Sequence, residues 1–417
     1  MPSFPSGVTL NDSVKKHLLY AVSRLDLNLS PSLTIQRAKA HRWTWQQEGH
    51  YALLLLLAII NLSYAESPTL LFKILMVAAY VTAALVPLTS QFVLPASIIF
   101  SWLLLFWSSK YIPVRVRPHI WVTLLPTLES VLYGANISDI LTRTMNPFLD
   151  VLAWVPYGII HFAAPFVVAA TLFVFGPPGA INFFGKAFGY LNLVGVMIQV
   201  AVPCTPPWYE LQYGLTPAHY GMPGSPGGLA RIDAIFHSHG YTNTFTTAPI
   251  PFGAFPSLHA GCGTMEALFM SHFFPAGRVA YWSYVLWLYW TTMYLTHHYL
   301  IDLVAGAALA VGCFYLLMSE EMRHAPALAA DKTSYIPHSS STSSGDAYQL
   351  TALDEHELDD EELDHAQFGP VDKSAIVQSK ATRSLSPPSN GARVASPRPA
   401  TKDIEAGDIG RARSPRP

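Results

Sequence analysis

Charged residues are scarce in this sequence, and their scarcity excludes several classes of protein. Only 12% of the 417 residues are charged, whereas a typical soluble domain has about 25%. Residues 1–319 hold just 14 Lys and Arg and 11 Asp and Glu, although 51% of the whole chain is hydrophobic. This part of the chain is too apolar for an ordinary soluble domain, and it lacks the dense basic face that nucleic-acid binding requires.

Cysteine is also rare. The three cysteines, Cys204, Cys262 and Cys313, do not form a disulfide framework or the pattern of a zinc site. Two of them lie in hydrophobic runs, where a thiol packs as a small apolar side chain. We therefore expect no metal and no other cofactor.

Apolar runs fill the middle of the chain. A helix that crosses a bilayer needs about 20 mostly apolar residues. The runs that reach or approach this length are 51–64, 69–87, 92–108, 158–176, 187–203, 258–274, 279–296 and 299–318. We therefore predict an all-α, polytopic membrane helix bundle of six to eight spans within residues 49–318. Residues 110–157 mix arginines with leucines, which is typical of helices that lie on a membrane surface.

The two ends of the chain are polar. Residues 1–48 carry six Lys and Arg, and residues 320–417 hold 11 basic and 16 acidic residues with repeated Ser-Pro pairs. A segment of this composition cannot build a hydrophobic core. We predict a cytosolic N-terminal segment over 1–48 and a disordered cytosolic tail over 319–417.

Orientation follows from the tendency of Lys and Arg to remain on the cytosolic side. The polar loop 204–257 contains Arg231 as its sole Lys or Arg, so we expect it to be lumenal. With five spans before it, the basic N-terminal segment is cytosolic. The same count makes residues 110–157 lumenal, although they carry four Lys and Arg.

Two histidines and one aspartate stand out, because ionisable side chains in apolar spans are costly and mark functional sites. His259 begins one predicted span, and His298 lies between the last two. Two crossings separate them, so both lie on the side that carries the 204–257 loop. Asp302 follows His298 at i+4, on the same face of a helix. A carboxylate there holds one imidazole nitrogen and leaves the other free as nucleophile or base.

Several motifs sharpen this pattern. They are PPWY at 206–209, GSPGGLARID at 224–233, GAFPSLH at 253–259 and HHYLID at 297–302. The last two resemble motifs of the lipid phosphatase superfamily, the type-2 phosphatidic acid phosphatases. Together, the four resemble the catalytic subunits of fungal inositol phosphorylceramide synthases over about residues 155–306. The resemblance implies a lipid-phosphatase-like core of six helices.

The resemblance also implies an activity: transfer of phosphoinositol from phosphatidylinositol to the primary hydroxyl of ceramide, with release of diacylglycerol. In this reading His298 attacks phosphorus and forms a phosphohistidine, Asp302 orients it, and His259 acts as general acid and then as base. The family further implies residence in the Golgi membrane and a small regulatory membrane subunit.

The sequence departs from the broader phosphatase pattern at two positions. Leu258 stands where those enzymes usually have Gly, and Thr292 stands where they usually have Arg. The phosphate-binding arginine must then come from elsewhere, and Arg231 is the obvious substitute. Lys110 and Arg117, which is followed by proline, also fit the spacing of the superfamily's first motif.

Other polar residues have weaker claims. Glu266 lies two helical turns below His259 and could tune a neighbour or pair with another helix. His297 would point about 100° away from His298 on a helix, so it is left out of the site. We interpret His161 and His272 as core residues and His237 and His239 as loop residues, whereas Asp233 could hold Arg231 or simply end a turn.

Three alternatives remain open. A lipid phosphate phosphatase would use water in place of ceramide, and a related transferase would move a different head group. A proton-coupled transporter or scramblase would use His and Asp as a proton relay, but such proteins have paired hydrophobic repeats. We find no convincing internal repeat in this sequence.

Overall fold

The computed structural model describes residues 10–324. The predicted cytosolic tail lies outside the described residues from position 325 onward, as do residues 1–9. Within the described range the regular structure is helical, apart from two isolated β-bridges. The all-α prediction is therefore confirmed for this part of the chain.

The described chain forms 17 α-helices. Their bounds are α1 (Leu10–Ser23), α2 (Pro31–Ala40), α3 (Trp45–Tyr64), α4 (Leu70–Leu85), α5 (Pro87–Val93), α6 (Ser97–Ser108), α7 (Leu124–Tyr133), α8 (Ile137–Thr142), α9 (Pro147–Trp154), α10 (His161–Phe175), α11 (Ala180–Ala201), α12 (Pro207–Tyr213), α13 (Leu229–Ile235), α14 (Gly240–Thr246), α15 (Leu258–Phe273), α16 (Arg278–Tyr294) and α17 (Leu300–Leu316). Single turns of 3₁₀ helix cover Ser109–Tyr111, Val114–Val116 and Pro275–Gly277, and a π-helical turn covers Val155–Ile160.

Six helices form the central bundle. Helix α15 packs against α10, α11, α16 and α17, while α11 also contacts α6, α10 and α17. The buried centre is apolar and rich in phenylalanine, and the Phe269 ring contacts those of Phe183, Phe184 and Phe314. The last four apolar runs of the sequence become α11, α15, α16 and α17, within a few residues of their predicted bounds except for the earlier start of α11. Helices α11, α15 and α17 supply most of this core.

Two described helices are long and apolar enough to cross a membrane by length and composition: Pro147–Phe175 and Ala180–Ala201. The pair Leu70–Leu85 and Pro87–Val93 would form a third candidate, but it is bent by 110°. Glu48–Tyr64 and Leu300–Leu316 are apolar but shorter. The total of six to eight spans stays a prediction.

The first of these long helices begins 11 residues before the predicted span. The sequence signals at Pro156 and Gly158 indicate a helix boundary, because proline lacks an N–H donor and glycine weakens a helix. The chain instead absorbs both residues in the π-helical turn Val155–Ile160, which joins α9 to α10 without a break. A π-helical turn adds a residue to the hydrogen-bonding pattern of the helix and changes the direction of the side chains on that turn.

The segments 109–157 and 204–257 lie at one end of the bundle, the end at which α15 and α17 begin; we call it the site end. Trp121, Cys204 and Gly253 pair there as three short parallel extended segments. The Ser138 hydroxyl donates to the Met293 carbonyl at the C-terminus of α16, 2.8 Å away. Residues 110–157 and the 204–257 loop thus lie on the same side as His259 and His298, as the span count predicts.

The 204–257 loop is held in shape by a buried carboxylate. Asp233 accepts hydrogen bonds from the hydroxyls of Ser238 and Thr242 and from the backbone N–H groups of Tyr241 and Thr242, at 2.8–3.1 Å. Burial alone would raise the pKa of Asp233, but these hydrogen bonds outweigh it and lower the pKa to about 2. The carboxylate therefore fixes the start of α14 rather than pairing with Arg231.

This arrangement makes Asp233 a stability determinant of the loop. The pKa of about 2 lies below the ordinary 3.8, so the stabilisation of about 2 kcal/mol is complete above roughly pH 4 and is lost as the pH falls toward 2. We expect Asp233→Asn to lower the unfolding temperature at pH 7 by about 5 °C and by clearly less at pH 3. Thermal unfolding in detergent measures this difference.

The matched control is Asp139→Asn, which removes an exposed ion pair with Arg143. Exposed pairs contribute about 0–1 kcal/mol, so this variant should unfold close to the native temperature at both pH values. Equal losses in the two variants would contradict a special role for Asp233.

Candidate active site

The site is built where α15 and α17 cross closely. Gly306 of α17 lies against the start of α15, and a β-carbon on it would come within 2.1 Å of the Ser257 carbonyl oxygen. The Ser257 N–H donates to the Asp302 carbonyl at 2.9 Å, and the Ser257 hydroxyl caps α15 by accepting from the Ala260 N–H. This crossing places His259, the second residue of α15, beside the start of α17.

His259, His298 and Asp302 contact one another in a chain. His298 Nδ1 lies 2.7 Å from Asp302 Oδ2, and His298 Nε2 lies 3.2 Å from His259 Nδ1. Asp302 is fully buried and His298 nearly so, while His259 is half-buried. Because a carboxylate accepts, His298 Nδ1 carries the proton toward Asp302. His298 Nε2 then has a free lone pair, and His259 Nδ1 is the donor to it.

His298 lies before the start of α17. The i+4 spacing correctly predicts the contact between His298 and Asp302, but the prediction that both lie on one helix face is wrong, because only Asp302 is helical. Residues 295–299 form a turn, and α17 begins at Leu300. Thr296 has φ +63°, a left-handed conformation that is strained for a β-branched residue. The Thr292 carbonyl accepts from the N–H groups of both His297 and His298.

The 204–257 loop holds this turn from outside. The Trp208 N–H donates to the Thr296 carbonyl at 3.0 Å, and the Gly228 N–H donates to the Leu295 carbonyl at 2.9 Å. Gly227, at φ +51°, lies so close that a β-carbon would come within 2.7 Å of the Leu295 oxygen. The PPWY and GSPGGLARID motifs therefore clamp the backbone that presents His298.

A buried glutamate completes the support of α17. Glu129 of α7 is fully buried, and its two carboxylate oxygens accept from the N–H groups of Leu300 and Ile301 at 3.2 and 3.1 Å. Burial raises the pKa of Glu129 above its usual value, although the backbone hydrogen bonds favour the ionised form. Sequence reasoning missed Glu129; its signal was an acidic residue in an otherwise apolar amphipathic helix.

A second carboxylate lies on the other side of the same turn. Glu210 of α12 accepts from the Tyr299 hydroxyl at 2.8 Å and from the Asn136 amide at 2.9 Å. Tyr299 is the residue that caps α17. Segments 109–157 and 204–257 are thus tied to each other and to the start of α17 through one acidic side chain.

An aromatic and histidine cluster surrounds His259. Tyr157 stacks on both His259 and His297, with ring centroids 4.6 and 5.3 Å apart, respectively. The His161 ring lies 4.7 Å from that of His259, and its buried Nδ1 has no hydrogen-bond partner among the described residues. His161 and His297 therefore border the site, contrary to the expectation that one is a satisfied core residue and the other lies apart.

The reason for both errors is local backbone geometry. The 100° separation of His297 from His298 assumed a helix, but these residues occupy a turn. The π-helical turn directs Tyr157 and His161 toward α15, which single-sequence periodicity does not reveal. The available signal was a histidine near the start of a predicted span, where ionisable groups are costly.

The predicted phosphate-binding residues contact other partners in the structure. Arg231 Nε donates to Asp150 Oδ1 at 2.9 Å, and its guanidinium lies over the Tyr294 ring. Arg117 donates to the backbone carbonyls of Ile112 and Lys110, and its guanidinium lies 4.8 Å from the Tyr220 ring centroid. The Lys110 ammonium lies over aromatic rings in its own segment.

Three further residues complete the comparison with the sequence. Glu266 is buried in α15, and neither of its carboxylate oxygens has a hydrogen-bond partner among residues 10–324. Leu258 points into the bundle against Gly195 of α11. His239 is exposed in the loop. Over the described range, no group of three or more His, Cys, Asp and Glu residues is arranged to hold a metal ion.

Comparison with known proteins agrees with this geometry. The model of the PAP2 superfamily matches residues 125–316, which contain all three residues of the histidine–aspartate chain. No solved structure matches the chain.

Curated relatives cover most of the same region. The chain is 50% identical over 291 residues to the inositol phosphorylceramide synthase catalytic subunit of Schizosaccharomyces pombe, covering 70% of this chain and 69% of that protein. It is 47% identical over 294 residues to the inositol phosphorylceramide synthase of Candida albicans, covering 70% and 62%. It is 45% identical over 294 residues to the catalytic subunit of Saccharomyces cerevisiae, covering 70% and 73%. The chain therefore belongs to the PAP2 superfamily and, within it, to the family of fungal inositol phosphorylceramide synthase catalytic subunits.

Proposed function

We propose that this chain transfers phosphoinositol from phosphatidylinositol to ceramide, giving inositol phosphorylceramide and diacylglycerol. The observation that carries the proposal is the hydrogen-bonded chain from Asp302 through His298 to His259, in a protein whose relatives bear the name of that synthase. It provides a nucleophile, the group that orients it and a proton donor within contact distance. The names of the relatives support the choice of substrates.

The first half-reaction breaks the bond between phosphorus and diacylglycerol. His298 Nε2 attacks the phosphodiester phosphorus, and a nitrogen–phosphorus bond forms as the phosphorus–oxygen bond breaks. Asp302 stabilises the positive charge that develops on the imidazole. His259 acts as the imidazolium, with a proton on each ring nitrogen; its Nδ1 proton passes to the departing oxygen of diacylglycerol, which leaves His259 as a neutral imidazole.

The second half-reaction regenerates the enzyme. The primary hydroxyl of ceramide attacks the phosphohistidine. The neutral His259 imidazole accepts the proton of that hydroxyl at Nδ1. The nitrogen–phosphorus bond breaks as the new phosphorus–oxygen bond forms. Both lipids reach the site with their chains in the hydrocarbon and their polar groups at the site end. The ceramide hydroxyl therefore approaches the phosphohistidine from the membrane, and hydrolysis by water is disfavoured.

We propose that Arg231 stabilises the charge on the non-bridging phosphate oxygens. Its Nε is held by Asp150, which also accepts from the Tyr294 hydroxyl, so the guanidinium is fixed in orientation. Electrostatic stabilisation of this kind is usually the largest contribution to phosphoryl transfer. Lys110 and Arg117 would add positive potential at the same end of the bundle.

We further propose a multi-pass location in the Golgi membrane, with the active site lumenal and both termini cytosolic, and association with a small regulatory membrane subunit. Family membership supports the compartment and the subunit. The scarcity of Lys and Arg in the 204–257 loop supports the orientation.

The reaction is tested with purified protein, phosphatidylinositol labelled in its phosphate, and ceramide in detergent. We expect labelled inositol phosphorylceramide and, without ceramide, an acid-labile label on the protein. His298→Ala should abolish both, with a loss of activity on the order of 10⁴-fold or more, because the nucleophile is gone. The exposed His239→Ala serves as the matched control and should retain activity.

Two results would contradict the proposal in different ways. Release of free inositol phosphate without a ceramide product would identify a lipid phosphatase. Intact product formation by His298→Ala would exclude the phosphohistidine and favour a transport role for the buried His and Asp.

The role of Arg231 has its own test. Arg231→Gln should lower kcat/KM for phosphatidylinositol by about 10²-fold or more, because a neutral side chain cannot stabilise the phosphate charge. Arg231→Lys should restore part of the activity, since it retains the charge but not the planar guanidinium. Unchanged kinetics in Arg231→Gln, combined with a large loss in Arg117→Gln or Lys110→Gln, would move the role to those residues.

A further inference from the structure

The ring of His259 is held by fewer hydrogen bonds than that of His298. His298 is hydrogen-bonded through both ring nitrogens, to Asp302 at 2.7 Å and to His259 at 3.2 Å. Within residues 10–324, the His259 ring makes one hydrogen bond, the contact of its Nδ1 with His298 Nε2. A general acid must point its proton at one particular oxygen atom, so the orientation of the His259 ring needs a further restraint.

The single hydrogen bond of His259 is lost when the reaction begins. In the proposed mechanism His298 Nε2 attacks phosphorus, so its lone pair can no longer accept from His259 Nδ1. The Nδ1 proton must then point at the departing oxygen of diacylglycerol without the help of His298. Among the described residues, contacts with the ring of His259 itself are what remain to orient it.

Tyr157 makes the most nearly parallel of these ring contacts. Its ring is stacked on that of His259, with centroids 4.6 Å apart and planes inclined by 23°. The ring of His161 lies 4.7 Å away but is inclined by 38°. A nearly parallel ring resists rotation of the imidazole out of its plane, and the negative face of the Tyr157 ring attracts the positive charge of the imidazolium.

The Tyr157 ring is itself held in place. Its side chain is 2% exposed, and it also stacks on His297 at 5.3 Å. Tyr157 belongs to the π-helical turn, and this turn packs against α14 at Gly158, where a β-carbon would come within 2.7 Å of the Tyr241 hydroxyl oxygen. That hydroxyl accepts from Trp154 Nε1 at 2.6 Å. The buried ring therefore has a fixed position from which to orient His259.

We propose that Tyr157 is a positioning residue, which orients the imidazolium of His259 toward the departing oxygen of diacylglycerol. The inference rests on the proposed function, and it adds to that site a residue that acts through His259. Misplacing a catalytic group by about 1 Å can cost about 10²-fold in rate. Loss of the Tyr157 ring should therefore slow a step that needs the His259 proton and spare a step that does not.

The test compares two donors that differ in their leaving group. Phosphatidylinositol releases the hydroxyl of diacylglycerol, which needs a proton from His259, whereas the para-nitrophenyl diester of phosphoinositol releases nitrophenolate, which is stable without that proton. Both donors form the same phosphohistidine on His298. Each is given to the purified protein without ceramide, at saturating concentration. The rate of the first turnover is measured from the label bound to the protein or from the release of nitrophenolate.

Tyr157→Leu removes the ring but keeps an apolar side chain. We expect it to slow the first turnover with phosphatidylinositol about 10²-fold, and with the nitrophenyl donor by about threefold or less. Tyr157→Phe keeps the ring and should remain within about threefold of the native rate with both donors. His259→Ala marks the full effect, a loss of about 10²–10⁴-fold that is confined to phosphatidylinositol.

The matched control is Phe166→Leu, which removes an aromatic ring from an exposed position on the same long helix. It should leave both rates unchanged. The amplitude of the nitrophenolate burst counts functional sites, so a variant that folds poorly loses amplitude and keeps its rate per site.

Three results would overturn the inference. Equal losses with both donors in Tyr157→Leu would indicate a general structural role. A loss in Tyr157→Phe as large as that in Tyr157→Leu would assign the role to the hydroxyl, and a native rate of Tyr157→Leu with phosphatidylinositol would exclude any role. In each case the proposed function stands if the native protein makes inositol phosphorylceramide. If the native protein makes none from phosphatidylinositol and ceramide, the proposed function fails, and this inference fails with it.

Discussion

The close crossing of α15 and α17 is the constraint on which the rest of the site depends. Gly306 permits it, since any side chain there would collide with the Ser257 carbonyl, and the hydrogen bond from the Ser257 N–H to the Asp302 carbonyl fixes its register. The two imidazoles meet at 3.2 Å because the crossing places the start of α15 beside the turn that precedes α17. A larger separation of these helices would leave the same residues present and the proton donor out of reach.

Acidic side chains provide much of the support at this end of the bundle. Glu129 holds the start of α17, Glu210 holds its capping tyrosine, and Asp233 shapes the loop that clamps the preceding turn. Each accepts from N–H or hydroxyl groups that would otherwise be buried without partners, which is costly in a low-dielectric setting. At the site end, Glu129 and Asp233 thus position backbone N–H groups, whereas Asp302 orients the His298 imidazole.

The sequence predicted the parts of this molecule that follow from local pattern. Apolar runs placed α15, α16 and α17 within a few residues, and the cost of burying ionisable groups singled out His259, His298 and Asp302. It could not reveal the tertiary contacts of Glu129 and Asp150, whose partners lie 171 and 81 residues away. It also failed where the backbone is irregular: the π-helical turn that directs Tyr157 and His161 inward, and the strained turn at Thr296 that separates His297 and His298 from α17.

The contact between Glu129 and the start of α17 also governs when the site can exist during synthesis. A ribosome that has translated α7 must add some 170 further residues before the N–H groups of Leu300 and Ile301 are available to that carboxylate. Until then His298 has not been translated, and the Glu129 carboxylate lacks the two N–H groups from which it accepts in the folded protein. The active site is consequently among the last parts of the protein to form during membrane insertion. A nascent chain does not react with lipid phosphates while its earlier spans are being inserted.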